Sequence, residues 1–177
     1  MKHPSLSARD MAYISLSAGL LSLSAWIHIP MADISFTLQT FAVVFLLDLL
    51  GGKRGTLGYL VYLGLGLVGL PVFSGFRGGI SALTGVTGGY IWGMLLLCLI
   101  WWISPQGKTA RFPSAVAGLS ACYFAGTAWF WLIYTDGSAA SLGAVILKCV
   151  VPYLVPDALK VLLALRLSDR LRGIVKL

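Results

Sequence analysis

The chain has 177 residues, of which 58% are hydrophobic and 11% charged, with a mean hydropathy of +0.89. A soluble domain carries roughly 25% charged residues, so a water-exposed surface cannot be made from this composition. The formal charge of +7 is not a nucleic-acid signature, because ten of the thirteen basic residues (Lys2, Arg9, Lys53, Arg54, Lys108, Arg111, Arg166, Arg170, Arg172, Lys176) fall at the termini or in two short breaks between apolar segments. That distribution is the positive-inside pattern of a membrane protein.

The apolar segments are too many and too long for one signal peptide and a soluble core. Residues 11–29 read as a first span stopped by Pro30, and residues 31–36, without Lys or Arg, as an outer loop. Residues 37–50 are a second, short span. Gly51-Gly52-Lys53-Arg54-Gly55 reads as a cytoplasmic turn. The third span, residues 56–70, is glycine-rich, as close helix packing in lipid favours, and Pro71 ends it. Residues 72–87 form a long Gly-rich outer loop carrying Arg77. Such a loop at membrane depth must be buried in protein or line a cavity. The fourth span, residues 88–103, ends on Trp101-Trp102, an expected interfacial belt. Residues 104–113 are a cytoplasmic loop, and residues 114–134 the fifth span, leading to an outer loop around Asp136-Gly137.

Residues 141–167 hold Lys148, Pro152 and Pro156. Proline removes a backbone donor and disfavours helix in the residue before it, so two prolines four apart predict a break. Residues 144–151 are then a short outer helix or re-entrant piece, and the sixth span starts near Pro156, with proline in the first turn. The reading is an all-α membrane protein of six transmembrane helices, one domain over residues 1–177, with both termini cytoplasmic.

Ionisable groups inside an apolar bundle are functional-site candidates. Asp157 and Lys160, spaced i, i+3, share a helix face. A bare salt bridge is the plain alternative to ligand binding. A first-turn Asp, however, has partners in the free helix N–H groups, leaving Lys160 for another anion. Arg77 is flanked by Gly75, Gly78 and Gly79, which let backbone approach a ligand closely, and it offers a second cation at the same end. Thr37 and Gln39 open the second helix with donors and acceptors. Asp48 is read as a charge partner of Lys53 and Arg54. His28 reads as an interfacial residue, and Lys148 as an outer-surface lysine.

Other chemistries lack their residues. Gly107-Lys108-Thr109 imitates the end of a phosphate-binding loop, but Trp102 stands where the first glycine is required. No nucleophile stands beside a histidine, and Cys98, Cys122 and Cys149 lack metal-ligand spacing. No catalytic or metal site is assigned and no enzyme is expected. Small residues four apart on the first helix (Ala8 and Ala12, Ser15 and Gly19, Ala18 and Ser22) fit internal packing or a docking face for a membrane partner.

The runs Phe36-Thr37-Leu38-Gln39-Thr40-Phe41-Ala42, Gly69-Leu70-Pro71-Val72-Phe73-Ser74-Gly75-Phe76-Arg77-Gly78-Gly79 and Thr87-Gly88-Gly89-Tyr90, with Pro-Asp-Ala-Leu-Lys at residues 156–160, resemble the BioY family, the biotin-specific S components of energy-coupling-factor transporters. The resemblance spans almost the whole chain in order. It implies a six-helix S-component fold that captures biotin, as transported substrate rather than cofactor, at its extracytoplasmic end. It also implies a membrane coupling subunit and two cytoplasmic ATPases as partners, in a bacterial cytoplasmic membrane, with the small stripe of the first helix facing the coupling subunit. By the same resemblance Asp157 and Lys160 contact the ligand, and Thr37, Gln39, Arg77 and Tyr90 lie in matching motifs. Biotin's ureido N–H groups suit Asp157, and its carboxylate suits Lys160 or Arg77. Phe76 and Val86 stand where the family commonly has Gly and Pro, and Val155 where Gly often precedes the aspartate. An S component for another vitamin would change Asp157, Lys160 and the run from Phe36. A secondary transporter of a small organic anion would need coupling acids deep in the bundle, and none of the six acidic residues is placed there.

Overall fold

The structure, a computed structural model, describes residues 6–29, 35–105, 107–135 and 138–173. Pro30, most of the first outer loop, Asp136-Gly137, Lys2 and Lys176 lie outside the described residues. Helix α1 (Ala8–Trp26) starts at Ser7, whose Oγ accepts from the Asp10 amide at 3.1 Å while the Asp10 carboxylate accepts from Ser7 N at 3.1 Å, a reciprocal cap. Those bonds, reinforced by Arg54, hold the Asp10 carboxyl below its ordinary range. α1 ends three residues earlier than expected. Its place is taken by β1 (His28–Ile29), which pairs antiparallel with β2 (Phe36–Thr37), His28 opposite Thr37. Thr37 is thus on a strand, and the second helix, α2 (Gln39–Leu50), begins two residues later.

Helix α3 (Gly52–Leu67) follows after one residue, Gly51, at φ 85°. The expected turn at residues 51–55 is corrected accordingly. A Cβ on Gly52 would lie 2.6 Å from the Trp102 backbone, so this glycine serves helix contact rather than chain reversal. Part of the loop after α3 is also helical, as the single turn α4 (Ile80–Thr84). α5 (Gly88–Ile103) has the expected bounds, but Trp101 is buried rather than interfacial. α6 (Lys108–Tyr134) starts six residues before the expected fifth span and contains Pro113. So near the helix start, proline forfeits a single i→i−4 bond.

The break in the last segment is real but earlier. α7 (Ala139–Cys149) and α8 (Val151–Arg172) meet at Val150, with Pro152 in the first turn of α8 and Pro156 inside the helix. The early N–H groups of a helix lack intrahelical partners anyway, so Pro152 loses nothing and Pro156 one bond. Asp157 and Lys160 therefore stand in the second and third turns, not the first.

α1 packs on α3, α2 on α8, α5 on α6 and α3 on α5, whereas α6 and α8 make almost no close backbone approach. Tyr59, Tyr62, Phe73, Leu47 and Leu97 fill the centre. Outward-facing apolar side chains such as Leu16, Ile103, Phe124 and Leu163 are exposed along the bundle, as lipid contact requires. α6 and the run from Ser141 to Arg172 are long and apolar enough to cross a membrane, while α2 and α5 are shorter apolar helices. On α1 the small residues divide between two faces. Ala8, Ala12, Ser15 and Gly19 are exposed, whereas Ala18 and Ser22 are buried.

At the basic end, Asp48 is 1% exposed and pairs with Arg111 at 3.0 Å and Arg172 at 3.1 Å, while Arg111 also holds Asp169 at 2.7 Å. Two expectations are thereby corrected. Asp48 is an acid inside the bundle, and its partners come from α6 and α8 rather than from Lys53 and Arg54. Arg54 pairs with Asp10 at 2.7 Å instead.

Candidate functional site

A cleft of about 770 Å³, counting the space at its open mouth, lies at the end of the bundle away from the Asp48 cluster. All six residues singled out from the sequence line it: Thr37, Gln39, Arg77, Tyr90, Asp157 and Lys160. They come from β2, the start of α2, the loop after α3, the first turn of α5, and α8. Only the closed bundle brings them together.

The buried end is polar. Lys160 Nζ donates to Asp157 Oδ1 at 2.8 Å and to the Thr37 carbonyl at 2.6 Å, and stands 3.6 Å from the centre of the Phe36 ring. Tyr123 of α6 donates to the other carboxylate oxygen, Asp157 Oδ2, at 2.6 Å. Asp157 and Lys160 are 5% and 7% exposed. A buried charge is tolerated only when paired and hydrogen-bonded, and both conditions are met here. The expectation that the helix N-terminus satisfies Asp157 and leaves Lys160 unpaired is therefore corrected. The second turn of α8 has no free N–H groups to offer, so Lys160 neutralises the carboxylate and the Tyr123 hydroxyl hydrogen-bonds to it. Beside this pair, Gln39 Nε2 donates to Tyr62 Oη at 2.8 Å, and Thr37 Oγ1 lies 3.3 Å from Gln39 Oε1.

Arg77 sits at the exposed mouth. Its guanidinium donates to the Ser74 carbonyl at 3.1 Å and to Thr87 Oγ1 at 3.2 Å, and no carboxylate pairs with it among the described residues. The loop folds back through a bridge between Phe73 and Arg77. Phe76 adopts φ 56° and stacks on Trp26 with ring centroids 5.0 Å apart. That left-handed conformation is strained for a bulky residue, and the aromatic stack offsets the cost. Tyr90 reaches Thr127 at 3.4 Å, and Gly126 makes room for its ring.

Sequence reasoning overlooked Tyr62, Tyr123 and Tyr153, which also line the cleft. A signal existed, since a tyrosine in the middle of an apolar span carries a hydroxyl that must find a partner. Which hydroxyl meets which carboxylate, however, depends on the helix pairing.

The BioY family model matches residues 1–176. The chain belongs to the BioY family. Among its relatives, the "Probable biotin transporter BioY" of Pyrococcus horikoshii is 35% identical over 170 residues, covering 95% of this chain and 99% of that protein. The "Biotin transporter BioY" of Thermotoga maritima is 33% identical over 168 residues, covering 93% and 96%. A solved structure described as the S-component for biotin from an ECF-type ABC transporter superposes with a TM-score of 0.80 at 23% identity, covering 98% of this chain and 95% of that one. The helical fold expected for an S component is thereby shown.

Proposed function

We propose that this BioY-family chain is the substrate-capture subunit of a biotin uptake transporter, and not an enzyme. The observation that carries the reading is the buried Asp157–Lys160–Tyr123 network opening on a cleft whose mouth holds an exposed arginine. Biotin has matching ends: a neutral ureido ring that both donates and accepts, and a flexible chain ending in a carboxylate. The ureido N–H groups donate to Asp157, and its oxygen accepts from Lys160, Tyr123 or Gln39. Since Lys160 already faces a carboxylate, Arg77 takes the valerate carboxylate. Tyr62, Phe73, Tyr90 and Tyr153 supply the apolar walls.

The chain crosses the cytoplasmic membrane of a bacterium six times with both termini inside, a reading supported by its basic residues and exposed apolar surface. The cleft then faces outward. Transport is powered by a membrane coupling subunit and two ATPases. The exposed small residues Ala8, Ala12, Ser15 and Gly19 let a partner helix approach α1 closely.

Calorimetry on the purified protein tests the substrate, with desthiobiotin, riboflavin and thiamine as comparators. Biotin is expected to bind at micromolar concentration or below and to outcompete all three. Absence of biotin binding at that concentration overturns the assignment, and binding of riboflavin or thiamine instead makes the chain an S component for another vitamin.

A further inference from the structure

α6 and α8 run antiparallel yet scarcely pack on each other, although each packs closely on another helix. Among the described residues they are tied by polar contacts from Tyr123 to Asp157 near the cleft and from Arg111 to Asp169 at the basic end. Both contacts are separated by twelve residues on each helix, which is ~18 Å of helix. Along the cleft-side part of this seam lies an open, mostly apolar groove of about 560 Å³, lined by Phe112, Val116, Leu119 and Tyr123 of α6, with Ser120, and by Leu154, Ala158 and Val161 of α8. Its lining on α6 runs from Phe112 to Tyr123, ~16 Å of helix, close to one leaflet of the bilayer, half of a ~30 Å hydrocarbon core.

The groove has a charged mouth. Lys108 stands one turn before Phe112 on the same face of α6, beside Arg111 in a second cavity at the basic end. Lys108 makes no ion pair among the described residues, whereas Arg111 and Arg172 are paired with carboxylates. The buried Nε of Arg111 has no hydrogen-bond partner, and the first turn of α6, starting after Gly107, has no side-chain cap. An anionic phosphate is complementary to the uncapped first turn of α6 and Lys108, while Arg111, already shared by Asp48 and Asp169, offers its unpartnered Nε–H rather than net charge. An apolar chain attached to it would continue along the groove.

We propose that the α6–α8 seam binds one anionic phospholipid, its phosphate held by Lys108 and the first turn of α6 and one acyl chain filling the groove. The chain lies against the outer side of Leu119 and Tyr123, which also line the ligand cleft, and supplies the packing that α6 and α8 do not give each other. This inference rests on the reading of the chain as membrane-embedded. It does not depend on which ligand the cleft takes, so biotin and lipid binding are separate readouts.

Native mass spectrometry of the delipidated protein titrated with phosphatidylglycerol, phosphatidylcholine or inorganic phosphate tests it. One phosphatidylglycerol per chain is expected to bind, more tightly than phosphatidylcholine and without competition from millimolar inorganic phosphate. Lys108→Gln is expected to weaken it about fivefold, and Val116→Trp, which fills the groove, to weaken it at least as much. Lys53→Gln, exposed at the same end but away from the seam, should leave it unchanged. Equal binding of the two lipids overturns the proposal, as does displacement by phosphate. So does wild-type affinity in both groove variants, or a loss in Lys53→Gln equal to that in Lys108→Gln. Thermal melting of each variant identifies any that fails to fold, in which case Lys108→Met and Val116→Phe replace it.

Discussion

Replacing Asp157 with asparagine tests the site most directly, because it keeps the shape of the side chain while removing its charge and turning one of its two acceptor oxygens into a donor. In the wild type one carboxylate oxygen holds Lys160 at 2.8 Å and the other accepts from Tyr123 at 2.6 Å. A hydrogen bond to a charged group contributes ~1.5–3 kcal/mol, so losing the charge-assisted bond to the ureido ring should raise the biotin Kd by roughly 10- to 150-fold. Stability falls too, since Lys160 loses its counter-ion while 7% exposed. Removing one partner of a buried pair costs ~3–5 kcal/mol, and here the Thr37 carbonyl and the Phe36 ring still face the ammonium, placing the cost at the lower end. Asp157→Asn combined with Lys160→Met restores neutrality and should recover stability without recovering affinity. Calorimetric titration with biotin and thermal melting of the same samples measure both quantities. Wild-type affinity in a folded Asp157→Asn protein would refute the reasoning, as would affinity regained in the double variant.

Arg77→Gln should weaken biotin by about fivefold, the scale of an exposed charge contact of ~1 kcal/mol, while leaving biotinamide unaffected; an equal loss for both ligands would move the carboxylate elsewhere. A Cβ on Gly126 would fall 2.3 Å from Tyr90 Cδ1, so Gly126→Ala should push the Tyr90 ring into the cleft and lower biotin affinity with little change in melting temperature. Asp48→Ala takes one of two carboxylates from Arg111, which keeps Asp169, and the carboxylate from the part-exposed Arg172; it is expected to destabilise the bundle by ~1.5–3 kcal/mol, read as a lower melting temperature with the biotin stoichiometry of the folded fraction unchanged. Asp10 has a lowered carboxyl pKa, so its contribution is present above the unfolded value near 3.8 and is lost as pH falls through the folded one. The melting-temperature difference between wild type and Asp10→Asn should accordingly shrink as the pH falls below about 4.

The break between α7 and α8 shows how far sequence reasoning reached. Pro152 and Pro156 announce an interruption, but either proline fits the first turns of a helix, and local rules do not choose between them. Packing of α8 along α2 chooses Val150 and carries Asp157 one turn further in. That turn changes the chemistry, because a carboxylate beyond the free N–H groups requires Lys160 and Tyr123. Likewise the glycines at positions 51, 52 and 55 read as a turn, whereas only Gly51 turns and Gly52 admits the backbone at Trp102. A glycine used for chain reversal and one used for close approach look alike until a neighbour is known.

Composition by itself determined that the chain belongs in a bilayer, because the cost of exposing so much apolar surface to water does not depend on how the helices are arranged. The order of the apolar segments and the few ionisable residues among them also marked Asp157, Lys160 and Arg77, since charges are too expensive in such surroundings to be placed without partners or function. What only the tertiary structure decided is who those partners are. Asp157 meets Tyr123 from 34 positions earlier, and Lys160 meets the Thr37 carbonyl across 123. Asp48 pairs with arginines of α6 and α8 rather than with the basic residues next to it in the chain. Hydrogen bonds and ion pairs act over a few ångströms, and in a helical bundle that proximity is set by which helices pack together, a relation that spacing along one helix does not contain.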